Sequence, residues 1–193
     1  FLLASLIESA DKVANTASVY GAFLKHIKKS ASQKLVLQSA DFIENDNSHR
    51  VYKEDSNELI KKIEGDILYL DPPYNQRQYS ANYHLLNTIA LYDNFEPKGK
   101  TGLREYNRSK YSQKNEVSKS FEELIKNANF KYIFLSYNNE GLMSEDEVKN
   151  IMKKYGIYDL QKKEYSRFKA DKTENRNHKA NSTFEYLYIL EKK

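Results

Sequence analysis

A chain of 193 residues, 39% of them hydrophobic, holds enough apolar material for one packed core, and its lack of cysteine excludes disulfide frameworks and thiolate metal sites. The four histidines (His26, His49, His84 and His178) show no i, i+4 pairing, so no metal site is expected, and no apolar run approaches the ~18 residues of a membrane span. Net charge is only +4 but uneven: residues 98–119 carry seven basic against two acidic side chains, and residues 162–179 seven against three, which leaves the rest of the chain acidic. Two basic segments on an acidic body point to a polyanion partner.

In chain order, the first apolar run, Phe1 to Ile7, is cut off by Glu8 and lacks a basic leader. It reads as a helix face and not a signal peptide, so a cytoplasmic location is expected. A proline-free apolar pattern (Leu3, Leu6, Ile7, Val13, Ala17, Phe23) predicts a helix from 2 to about 29. Residues 34–37 are β-prone. Residues 51–54 read as a strand, followed by Ser56 as N-cap of a short helix over 57–63. Ile67 to Leu70 is a continuous apolar strand, the pattern of a central strand covered on both faces. A helix over 82–92 presents Leu85, Leu86, Ile89 and Ala90 on one face. The segment 95–120 is basic, irregular and rich in Gly, Lys, Asn and Ser. A helix over 121–128, a strand over 132–135 and a helix from the cap Ser144 to Tyr155 follow. Segments 157–167 and 184–191 are strand-like and suit an antiparallel pair. Strands alternating with helices argue an α/β fold: a mostly parallel, doubly wound sheet with one reversed strand and a closing C-terminal antiparallel hairpin.

The chemistry concentrates in Asp71-Pro72-Pro73-Tyr74, directly after the 67–70 strand. Two prolines fix φ near −65° and remove two N–H donors, which leaves local carbonyls as free acceptors. Asp71 and the Pro72 carbonyl are thereby able to grip one small polar group, with the Tyr74 ring as a flat neighbour. An amine conjugated to a purine is a poor nucleophile because its lone pair is delocalised. Two fixed acceptors on its N–H bonds draw the nitrogen toward tetrahedral geometry and free that lone pair.

At these residues the chain resembles the D12 class of adenine-specific DNA methyltransferases, relatives of the Dam enzymes, which carry a D-P-P-Y tetrad. The run from Gly65 to Tyr79 reads as strand, motif and substrate loop in that family's order, and Phe134-Leu135-Ser136-Tyr137-Asn138 looks like its next strand-end motif. The resemblance implies a Rossmann-like sheet, S-adenosylmethionine as methyl donor and double-stranded DNA as substrate. It makes Asp71, Pro72, Pro73 and Tyr74 catalytic and puts Asp55, at the end of the 51–54 strand, beside the cofactor adenine, a role that competes with a simple Asx helix cap. It suggests Asn75, Arg77, Tyr79, Tyr137 and Asn138 as substrate-binding residues, against a plain surface-loop or core reading. A restriction-modification role is plausible from the family.

The glycine-rich cofactor turn the resemblance implies is missing, because none of the six glycines forms such a cluster. The whole chain, 1–193, therefore reads as one partial catalytic domain whose N-terminal strands are missing. An N-terminal half or a partner subunit would supply that turn. Two other readings stay open: an inactive DNA-binding remnant or split-enzyme subunit, and an N4-cytosine or RNA-adenine methyltransferase, which the leading aspartate of the tetrad disfavours. The recognised DNA sequence is not legible.

Overall fold

Residues 64–70, 129–138, 156–166 and 182–192 form the strands β1 (Glu64–Leu70), β2 (Asn129–Asn138), β3 (Gly156–Ser166) and β4 (Ser182–Lys192) of one sheet in the order β1-β2-β4-β3. In this computed structural model the described residues are 1–17, 19–166 and 182–193. The strands β1 and β2 pair in parallel, while β4 runs antiparallel to both β2 and β3. Three strands thus share a direction and β4 opposes them, giving an α/β architecture with a mixed four-stranded sheet. The segments 157–166 and 184–191 do pair antiparallel, with Tyr158 opposite Leu190 and Lys163 opposite Glu185; the connection between them lies outside the described residues, as does most of the second basic segment.

The chain divides into two units, Val51–Gln76 with Ser109–Lys193, and Phe1–Arg50 with Arg77–Arg108. The sheet belongs to the former. Helices α5 (Val117–Asn127) and α6 (Glu145–Lys153) cover one of its faces. Val117, Phe121, Leu124 and Ile125 of α5 and Val148, Ile151 and Met152 of α6 recur at helical spacing and are buried. They pack on Ile133, Leu135, Tyr188 and Leu190, which alternate along β2 and β4. Each fully buried Leu, Ile or Phe contributes roughly 1.5–3 kcal/mol. A capping box starts α6: the Ser144 hydroxyl accepts from the Glu147 N–H at 3.3 Å, and Glu147 Oε2 accepts from the Ser144 N–H at 2.7 Å. At the other end of α5, Lys192 of β4 donates to the carbonyls of Ile125 (2.8 Å), Lys126 (2.9 Å) and Ala128. A lysine ammonium on the last carbonyls of a helix satisfies orphan acceptors and complements the dipole.

In the other unit, α1 (Leu2–Lys12) packs against α4 (His84–Leu91), which follows the single turn α3 (Tyr79–Asn82). The buried residues of α1 are Ser5 and Ser9, whose hydroxyls accept from the N–H groups of Ala40 and Gln38, both at 2.9 Å. The loop after α4 has order of its own. Gly99 and Gly102 adopt φ of +67° and +65° to turn the chain between the bridged residues Lys98 and Leu103. Arg104 binds both oxygens of Asp93, at 3.1 and 2.7 Å, and covers the Phe95 ring.

Four expectations from the sequence need correction. The first helix stops at Lys12 instead of continuing to about residue 29. Asn15, Thr16 and Gly21 are poor helix formers, and Asn15 bonds the backbone of His26 and Lys28 instead. Residues 34–37 and 51–54 are not strands, for a strand needs a ladder partner and none of the described residues offers one. The N-cap of the short helix α2 (Ser56–Leu59) is Asp55, with Ser56 its first helical residue. Finally, β1 lies at the sheet edge. Its Ile67 and Tyr69 are 62% and 61% exposed on the face opposite α5 and α6. An apolar run reports that a strand suits burial; it does not report what covers it.

Candidate active site

The tetrad sits where the sequence puts it, at the carboxyl end of β1, level with the last turns of β2. Asp71 is exposed, the two prolines are half-buried, and Tyr74 is 37% exposed. The loop after β2 holds the motif in place: the Leu142 N–H donates to the Tyr74 carbonyl at 2.8 Å. That loop is itself over-determined. The Asn138 side chain accepts from the Glu140 N–H at 3.1 Å, and the Tyr137 hydroxyl accepts from the Met143 N–H at 3.3 Å. A Cβ on Gly141 would come within 2.0 Å of Tyr137 Cε1, so this turn closes over the Tyr137 ring only with glycine. Asn139 then joins the loop to β4, accepting from the Phe184 N–H at 3.0 Å and the Thr183 hydroxyl at 2.8 Å.

Beside the motif is a cavity of about 290 Å³, lined by Tyr69, Asp71, Pro72, Ser56, Tyr111 and Phe121 among others. Its floor is apolar, from Leu70, Phe121 and Leu124; Ser56, Asp71, Ser109 and Tyr111 give it polar walls. Tyr111 donates to Asn57 Oδ1 at 2.8 Å, and Asn57 in turn donates to the Ser120 carbonyl at 2.9 Å, which fixes α2 against α5. Burial pushes the Tyr111 phenol well above its ordinary value, so it stays protonated as a donor.

Asp55 lies next to this cavity through Ser56, and its Oδ1 accepts from the N–H groups of Asn57 (2.9 Å) and Glu58 (3.3 Å). The helix-cap role is therefore realised. Tyr137 is 2% exposed and Asn138 7%, both at the end of β2. With its ring enclosed and its hydroxyl engaged, Tyr137 supports the loop from beneath and presents no face to a ligand. Asn75 stands in the same unit as the tetrad, half-buried. Arg77 and Tyr79 fall in the other unit; the Tyr79 ring is exposed and lies 6.0 Å from that of Tyr83.

Two further residues stand out in the structure. His84 is fully buried, and neither ring nitrogen has a hydrogen-bond partner among the described residues. Glu185 lies opposite Asn138 on β4 and lines a second cavity, of about 390 Å³, with Ser136, Gln161, Lys162, Lys163, Tyr165, Tyr186 and Leu187. Burial, and then the charge of Asp71, push the Glu185 carboxyl above its ordinary value. Nothing in the local sequence Thr183-Phe184-Glu185-Tyr186 marks that glutamate, because its meaning comes from strand order. No group of acidic and histidine side chains suited to a metal occurs among the described residues, and none of their helices is long and apolar enough to cross a membrane.

Comparison with known proteins agrees with this geometry. The D12 class N6 adenine-specific DNA methyltransferase family matches residues 1–151. The type II methyltransferase M.NlaIII of Neisseria lactamica is 70% identical over the full chain, which covers 58% of that protein. M.FokI of Planomicrobium okeanokoites is 46% identical over the full chain, covering 30% of its length. M.CviAII of Paramecium bursaria Chlorella virus 1 is 39% identical over 98% of the chain and 56% of its own length. The chain thus spans between 30% and 58% of the length of these relatives. No solved structure matches. With its tetrad at a strand end beside a cavity, and with these relatives, the chain belongs to the D12 class of N6 adenine-specific DNA methyltransferases.

Proposed function

We propose that this chain is the catalytic part of a site-specific DNA adenine-N6 methyltransferase of a restriction-modification system, acting in the cytoplasm. The observation that carries the proposal is Asp71, an exposed acceptor at the end of β1 that lines the cavity together with Pro72 and Pro73. The target adenine leaves the DNA stack, at a cost of a few kcal/mol. Tyr74 offsets part of that by stacking, roughly 1–3 kcal/mol per base. Asp71 and the Pro72 carbonyl accept the two N6 protons and favour the positive charge that develops on nitrogen. Asn75, Arg77, Tyr79 and Asn138 serve the substrate side, and Tyr137 supports the loop after β2. Lysines of the 98–119 segment contribute phosphate contacts; Arg104, engaged by Asp93, contributes least.

The 290 Å³ cavity suits the adenosyl part of S-adenosylmethionine, with Phe121 and Leu124 beneath a planar base and Ser56, Ser109 and Tyr111 at its polar edge. Asp55, at the N-terminus of α2, is the acidic neighbour of that edge. Bound there, the cofactor supplies an electrophilic methyl group; the protein's task is alignment, with the reacting atoms ~3–3.5 Å apart. The edge position of β1 and its bare apolar face support a larger, doubly wound Rossmann-like sheet completed by an N-terminal half or a partner subunit, which also brings the glycine-rich cofactor turn.

The test is transfer of radiolabelled methyl groups to unmethylated DNA by this chain alone and joined to upstream sequence, with Asp71→Ala as control. Label on adenine N6, abolished by Asp71→Ala with DNA affinity kept, upholds the proposal. Equal loss of binding and turnover makes Asp71 structural. Label on cytosine N4 or on RNA moves the assignment to those substrates, and silence throughout leaves a DNA-binding remnant.

A further inference from the structure

The loop that follows α4 is ordered without a core of its own: none of residues 92–103 is buried. Arg104 closes its base instead. The guanidinium binds both oxygens of Asp93, at 3.1 and 2.7 Å, donates to the Thr88 hydroxyl oxygen at 3.3 Å and lies 4.6 Å from the centre of the Phe95 ring. The Thr88 hydroxyl in turn donates to the His84 carbonyl at 2.9 Å, which ties the clamp to α4. The Arg104 side chain is only 11% exposed, against 44% for Asp93. A two-oxygen fork lying over a ring fixes both position and orientation, which a single-contact surface ion pair does not. Next to Arg104, Leu103 exchanges both backbone hydrogen bonds with Lys98, at 2.8 and 2.9 Å. What this scaffold carries outward is a turn with Lys98 and Lys100, both exposed, and residues 97–103 contain no acidic side chain.

We propose that Arg104 and Asp93 are positioning residues for DNA: their clamp holds the 98–103 turn ready, so that Lys98 and Lys100 meet two backbone phosphates of the duplex. The inference rests on the DNA methyltransferase reading above. A turn ordered in advance spares the complex the entropy of ordering it at the moment of binding. The pairing with Arg104 also masks the Asp93 carboxylate, which would otherwise repel phosphate. Arg104 itself, its fork and its ring-facing side both engaged, stays off the DNA. Phosphate contacts fix the register of a protein on a duplex and carry no sequence information, so the clamp governs affinity and alignment and not the choice of base.

The sign of one substitution separates positioning from plain electrostatics. Asp93→Asn removes a negative charge, which by itself strengthens binding to a polyanion, whereas loss of the clamp weakens it. The measurement is affinity over a salt series, for a preparation that methylates DNA and an unmethylated duplex that it methylates. Lys98→Ala together with Lys100→Ala should lower the salt slope by about two, at about one per phosphate contact. Asp93→Asn should weaken binding, lower the slope by about one to two and raise KM for DNA with kcat kept. In the Asp93→Asn protein the lysine pair of substitutions should then add almost nothing. The exchange of Asp93→Arg with Arg104→Asp should restore part of the affinity. Unchanged or tighter binding by Asp93→Asn overturns the inference. So does a lysine pair that costs as much in the Asp93→Asn protein as in wild type, or one that costs wild type nothing; none of these results touches the methyltransferase reading. A wild type that methylates no DNA, alone or joined to upstream sequence, defeats that reading and this inference with it.

Discussion

Replacing Phe121 by alanine tests both the core and the cavity. The ring is fully buried among α5, α6 and the covered sheet face, and one edge of it floors the 290 Å³ cavity. Large-to-small substitution of a buried Phe costs about 3–5 kcal/mol, because transfer free energy and packing contacts are lost together. The lower half of that range is expected here, since the existing cavity lets the neighbours collapse on one side. For a chain of this size each kcal/mol is worth roughly 2–4 °C, so Tm should fall by about 6–16 °C. Circular dichroism during heating and urea titration supplies the measurement, with Lys119→Ala on the exposed face of the same helix as control, expected within about 0.5 kcal/mol of wild type. Binding of S-adenosylmethionine by calorimetry, in a preparation that binds it, should weaken in step. A Tm change under ~2 °C, equal to that of Lys119→Ala, would refute the packing of α5 described above. Normal stability loss with unaltered cofactor affinity would refute only the cavity assignment.

Removing the α6 cap with Ser144→Ala should cost about 1 kcal/mol in chemical denaturation, in line with other N-cap losses. The Ser144 N–H, followed by its hydroxyl, holds the Glu147 carboxyl below its usual value of 4.5. A depressed carboxylate contributes stability that is whole above that value and fades as pH falls through the lower, folded one. Glu147→Gln should therefore flatten part of the acid side of the stability–pH curve and leave the neutral-to-basic side parallel to wild type. At Gly141, alanine forces a Cβ onto the Tyr137 ring; about 1–3 kcal/mol of destabilisation is expected, and the shifted turn should loosen the Leu142–Tyr74 contact and slow methyl transfer.

The position of the Asp71–Tyr74 tetrad was legible because its pattern is local: the prolines, the acceptor and the ring are consecutive, and a strand delivers them. The amphipathic patterns of α5 and α6 and the Ser144 cap were equally readable, being properties of a few neighbouring residues. What escaped was relational. Whether Ile67 and Tyr69 are covered depends on elements far from them in sequence, and Val51 to Glu54 had strand propensity without a partner. Asp55, not Ser56, proved to be the cap, since both residue types cap well and only the backbone decides between them. Glu185 was invisible because its place opposite Asn138 is created by inserting β4 between β2 and β3.

That insertion has a consequence for how the site comes into being. During synthesis, β1, β2 and β3 emerge before the strand that separates two of them, so β2 waits with an open edge until residues 182–192 arrive. The pairing that then forms joins positions more than forty residues apart along the chain at Asn138 and Glu185, a slow, non-local closure. The same event brings Lys192 onto the end of α5, the helix that floors the cavity. Until β4 docks, a nascent chain has neither the antiparallel partner of β2 nor the lysine that holds the end of α5, so the helix beneath the cavity is secured last.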